Sequence, residues 1–124
     1  MNAVLFFPAG DVAYVRIDRK IGNISELVAA ICAAGRYEGY CGNNWNALFD
    51  ILRDLSWVPQ KHVILIHEEE ILLAPDELEA YFFVLEECVE WWKNSDQHSF
   101  CAVLPDTLQE KYADFLKCRR EDTL

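Results

Sequence analysis

The order of apolar segments predicts an α/β fold built on a parallel sheet. Three short runs, Val12 to Asp18, His62 to Ile66 and Phe100 to Leu104, read as strands, and stretches of helical period separate them. Strands separated by helices pair in parallel through right-handed crossovers. A further run, Ala3 to Phe7, reads as an extra strand in front. The length of 124 residues suits one domain over 1–124, and 52% hydrophobic residues exclude a disordered acidic tail.

Each element has a local reason. Pro8 to Asp11 is a turn between the first two runs. Asn23 or Ser25 caps a helix whose Leu27, Ala30, Ile31 and Ala34 recur at helical spacing, and Gly35 stops it. Arg36 to Gly42, with two tyrosines and two glycines, reads as a loop. Asn43 or Asn44 caps a second helix with a buried stripe of Trp45, Leu48, Phe49, Leu52 and Leu55. Its other side carries Asn46 and Asp50, four apart and so stacked on one face. The run His62 to Ile66, rich in branched residues, suits a strand buried on both sides. Pro75 and Asp76 open the longest helix, ending near Asn94, with a core stripe of Leu78, Tyr81, Phe82, Leu85, Cys88, Val89 and Trp92. Pro105-Asp106 starts a last helix, whose Leu108, Tyr112 and Phe115 are expected to cover Phe83, Val84 and Trp91. Left bare, those three would form a second interface or a homodimer face.

Charge excludes some partners. The net charge is −10, which argues against DNA or RNA and admits a partner that is itself basic. The excess is local: residues 62–96 hold ten acids and one base, whereas residues 1–61 are balanced. No apolar run is long enough for a signal-peptide core or a membrane span, so a cytoplasmic protein is expected, with no membrane contact. The five cysteines are an odd number without a CxxC pair and read as free thiols in a reducing compartment. The histidines fall at no metal-ligand spacing with them, so neither metal nor cofactor is expected.

No phosphate-binding glycine loop, GxSxG elbow or HExxH pair is present. A small enzyme would have to use Asp50, or His67 with Glu68 to Glu70, and no spacing forces an acid–base pair. His67 beside three glutamates reads as a hydrated strand end rather than a metal ligand. Locally, Asp50 is an acid on an exposed helix face, the ordinary place for a solvated side chain.

Residues 40–52, Tyr-Cys-Gly-Asn-Asn-Trp-Asn-Ala-Leu-Phe-Asp-Ile-Leu, resemble the signature of the barstar family, with Gly42, Asn44, Ala47-Leu48 and Asp50 in register. Ile21 to Leu27 resembles the start of the family's first helix, Val63 to Ile66 its second strand, and Val84-Leu85 through Glu90 its last helix. The resemblance covers about residues 12–104, leaving 1–11 and 105–124 as extensions. It implies a barstar-like three-stranded parallel sheet packed by helices, to which this chain adds the N-terminal strand and the C-terminal helix. It also implies a bacterial, cytoplasmic ribonuclease inhibitor or toxin immunity protein, without catalysis, that occludes the active site of a basic ribonuclease as a monomer. The alternative is the same scaffold neutralising a toxin that is not of the barnase type, or serving as another protein-binding module.

Position by position, the resemblance makes Asp50 the acid that reaches the enzyme's phosphate site and Tyr40 the loop aromatic. Gly42 allows close backbone approach, and Asn44 supplies a polar contact. Trp57 and Glu90 are carried over across gaps. Asn43, Asn46, Phe49 and Asp54 complete the expected contact set. Three of these depart from the family pattern: Asn46 stands for an acid, Phe49 for an indole, and Asn43 is neutral where an acid is common. The surface is therefore less anionic than the family type, so either the target is less basic at its site or recognition has moved. Glu68, Glu69, Glu70 and the acidic face of the long helix either add contacts or steering or form an ordinary solvated face.

Overall fold

In the computed structural model, which describes residues 10–39 and 41–122, the elements run β1 (Val12–Ile17), α1 (Ile24–Ala34), α2 (Trp45–Asp54), β2 (His62–His67), α3 (Pro75–Trp92), β3 (Ser99–Val103), a 3-10 turn (Asp106–Leu108) and α4 (Gln109–Asp122). The three strands form one parallel sheet in the order β1-β2-β3. Val12 faces His62 across the first pair, and His62 faces Ser99 across the second. The expected strand Ala3 to Phe7 lies outside the described residues.

Sequential order in a parallel sheet means both crossovers step the same way. Right-handed crossovers that step the same way pack on the same face. Burial alternates accordingly. Val15 and Ile17 on β1, Val63, Leu65 and His67 on β2, and Phe100 on β3 are buried, whereas Tyr14 and Val103 are exposed. Ile64 and Ile66 are only half-buried, so β2 is not the strand buried on both sides that its run of branched residues suggests. The link after β2 extends the pairing: Ile21 bridges Ile71, Ile21 N–H donates to Glu70 O, and Leu72 N–H donates to Ile21 O.

Local chemistry sets the helix ends. Asn23 Oδ1 accepts from Glu26 N–H at 2.8 Å, and Glu26 Oε1 accepts from the N–H of Gly22, a variant of the capping box shifted one residue before the cap. Gly35 ends α1 in the right-handed region, and Arg36 takes the left-handed φ of 58°. Glycine is needed at 35 for a different reason: a Cβ there would collide with the ring of Trp57. Pro75 opens α3 with Asp76 and Glu77 in the first turn, where acids complement the helix dipole.

The core lies between the sheet and α1, α2 and α3. Leu27, Ile31, Leu48, Leu52, Leu55, Leu65, Tyr81 and Phe82 have almost no exposed surface. Trp92 Nε1–H donates to Leu52 O at 2.9 Å, and Trp45 stacks on Tyr81, so α2 and α3 run in the same direction. Tyr112 and Phe115 of α4 pack their rings against Phe82. They do not close over the neighbouring positions: Val84 is buried, but Phe83 is 46% exposed and Trp91 58%, and Val89 reaches the surface as well.

Candidate functional site

Residues 41–44 and the outer side of α2 form one surface. Asn44, not Asn43, is the cap: its Oδ1 accepts from Ala47 N–H at 2.8 Å. Gly42 precedes it with φ at 72°, a left-handed turn that a side chain would resist. Leu48, Ile51 and Leu52 are buried, each contributing about 1.5–3 kcal/mol, so the apolar face fixes which side of α2 looks outward. Asn46, Asp50 and Asp54 are therefore on the exposed side.

A groove of about 530 Å³ runs between the loop and the helix, and Gly42, Asn43, Asn44, Asp50 and Asp54 all line it, with Tyr37 on its far wall. Five expected contact residues thus meet around one depression. Tyr40 lies outside the described residues. Asn46 stands exposed on the first turn of α2. Trp57 is elsewhere: half-buried, it donates from Nε1 to Ile51 O at 3.2 Å and meets the edge of Tyr37 at 5.6 Å. It braces the loop from behind. Glu90 is on the exposed side of α3, 3.9 Å from Lys93 and outside the groove.

The electrostatics hold a feature that the local reading of Asp50 omits. Arg53 Nη2 donates to Asp50 Oδ1 at 2.9 Å. The Arg53 guanidinium also lies over the Phe49 ring at 4.3 Å and beside the Trp91 ring at 5.2 Å. Asp50 nevertheless keeps 73% of its side chain exposed. The Asp50–Arg53 spacing is visible in the sequence; the approach of Trp91 is not, because it depends on how α3 packs against α2. Asp54 accepts from Ser56 Oγ at 3.0 Å.

Behind the first turn of α2 lies a buried polar pair. His67 Nδ1 is 2.9 Å from Val103 O, and a carbonyl can only accept, so Nδ1 carries the proton. Nε2 then accepts from Tyr81 O–H at 2.6 Å. Burial pulls the imidazole below its ordinary pKa, against a smaller upward pull from the Val103 carbonyl. Tyr81 in turn stacks on Trp45, the first residue of α2. His67 is therefore a core residue and not a hydrated strand end, because its side-chain direction on β2 points into the helical layer. It faces away from the glutamates beside it: Glu68 pairs with Arg16 at 3.4 Å, and Glu70 accepts from Thr107 Oγ1 at 2.9 Å.

Cys32 and Cys88 are buried thiols, pushed up to about 12 chiefly by desolvation, while Cys41 and Cys101 are half-buried and Cys118 is exposed. Thiols held protonated are poor nucleophiles. No helix among the described residues is long and apolar enough to cross a membrane.

A three-stranded parallel sheet with helices on one face and an open groove between loop and helix defines a small α/β protein whose candidate site lies on its surface. The model of the family described as Barstar (barnase inhibitor) matches residues 12–105, and the chain belongs to that family. The family is one of ribonuclease inhibitors, not of enzymes. Comparison with curated proteins and with solved structures produced no match.

Proposed function

We propose that this chain inhibits a ribonuclease by seating α2 and the loop before it in the enzyme's active site. The observation that carries this reading is the placement of Asp50, exposed on the outer side of α2 in the same groove as Gly42, Asn43 and Asn44. A ribonuclease must present cations to bind phosphate, and a carboxylate on a rigid helix competes for them. Acidity elsewhere on the chain speeds encounter with such an enzyme. The inhibitor acts as a single-domain monomer in the cytoplasm, as the immunity partner of a bacterial toxin. The free thiols suit a reducing compartment.

The test is RNA cleavage by a panel of barnase-type ribonucleases with and without one equivalent of the protein. Wild type abolishes cleavage by at least one of them. Asp50→Ala weakens that inhibition by about 2–5 kcal/mol, the usual cost of truncating one half of a desolvated charge pair. Full cleavage throughout the panel would refute the reading. Neutral Asn46 and the Asp50–Arg53 pair favour a second reading, a toxin less basic than a barnase-type ribonuclease. Capture of a toxin with another activity on immobilised protein, lost in Asp50→Ala, would select it.

A further inference from the structure

We propose that Arg53 is the cationic half of the recognition surface, and that the cognate ribonuclease sets a carboxylate against it beside the cations that take Asp50. This rests on the inhibitor reading above and goes past it by specifying a mixed-charge partner surface.

Arg53 is not a loose surface side chain. Its guanidinium is held by the Phe49 ring at 4.3 Å, the Trp91 ring at 5.2 Å and Asp50 Oδ1 at 2.9 Å, contacts from two different helices. Its Nε is buried and has no acceptor among the described residues. The side chain is 36% exposed. A guanidinium fixed between aromatic rings loses little further freedom on binding, which makes it a preorganised contact. It has five N–H donors, and the Asp50 contact uses one of them, so it retains donors for a partner.

The charge pattern then chooses the partner. Asp50 and Arg53 together are neutral, so a uniformly cationic face would attract the first and repel the second at almost the same place. A face with an acid next to its cations is complementary to both. A ribonuclease that cleaves through the 2′-hydroxyl needs a base to take that proton beside the groups that bind phosphate, and a carboxylate base supplies this acid. Trp91, 58% exposed, and Arg53 are also residue types that dominate binding energy when an interface covers them.

The experiment uses the full chain and the ribonuclease most strongly inhibited in the panel, together with a variant of that enzyme whose carboxylate base is replaced by its amide. Arg53→Met replaces the side chain by an unbranched apolar one and removes the charge; Arg53→Lys returns a charge without the planar fork. Unchanged melting temperatures establish that both variants fold. Arg53→Met is expected to weaken binding to the unaltered enzyme at least tenfold, Arg53→Lys to recover part of that, and the Met penalty to fall below threefold against the amide variant. Equal or tighter binding by Arg53→Met, an equal penalty against the amide variant, or a strongly inhibited enzyme without an active-site carboxylate would overturn the proposal. Asp50→Ala separates the two ideas: if it binds like wild type, or if no ribonuclease is inhibited, the inhibitor reading fails and this one falls with it. If Asp50→Ala is weakened and Arg53→Met is not, only the present proposal fails.

Discussion

Trp57 reports on how the site loop is held, and a single methyl group tests it. Gly35→Ala would place a Cβ against the indole, whose N–H bond to Ile51 O and edge contact with Tyr37 brace the loop. Forcing that ring aside should cost about 1–3 kcal/mol, measured as a lower urea midpoint at constant m-value, with weaker inhibition alongside. The effect is steric, since Gly35 has ordinary right-handed backbone. This is also why the residue misleads when read alone. A glycine after an apolar helical stripe suggests a left-handed stop, and the ring that makes glycine necessary comes 22 residues later. The cap of α2, by contrast, is readable to within one residue, Asn43 or Asn44, because a cap bonds within three residues and its partner is local.

Between elements, α2 is positioned by what α3 and β2 present to it. Trp45 rests on Tyr81, and Tyr81 hydrogen-bonds His67. The lowered pKa of His67 makes this link sensitive to acid, and the sign follows from proton counting. The folded state resists the imidazole proton, whereas the unfolded chain accepts it below about pH 6.5. Stability from this residue is complete above that pH and is lost as the pH falls below it, toward the lower folded pKa. Urea midpoints between pH 8 and pH 5 should show the decline, and His67→Gln, which retains a donor and an acceptor, should flatten it. The sequence shows a histidine at the end of a strand followed by three acids. It does not show which face of the strand the histidine joins, because that depends on register and on Tyr81, fourteen residues away. The same dependence on packing hides Trp91 behind Arg53. The chain order of the elements survives a linear reading, and each cap does so to within two residues; contacts between helices do not.

Across the whole molecule the acids do not share one environment. Glu68 and Glu70 have partners on β1 and in the 3-10 turn, and Glu90 pairs with Lys93 next to exposed Trp91, which meets Arg53 of α2. Residues 62–96 therefore approach Arg53 of α2 through one side chain, Trp91 of α3. Glu69→Gln, Glu86→Gln and Glu90→Gln in one variant should slow association with the target about tenfold at low salt and reduce the salt dependence, leaving dissociation nearly unchanged. Stopped-flow traces at several ionic strengths measure both rates, and an association rate equal to wild type at low salt would remove steering from these residues. The spacing along the chain between Val12 and His62, paired in the sheet, bears on synthesis as well. Pairing this distant must wait for β2, and the partners of Trp45 and Leu52 on α3 come later still. A ribosome that has made Gly42, Asn43, Asn44, Asp50 and Asp54 has made much of the groove, but none of the α3 groups that hold α2 in place. On the inhibitor reading, a new copy could act only once α3 and the residues after it have been made and have packed on α2 and the sheet, so the second half of the chain would set how soon each copy becomes competent.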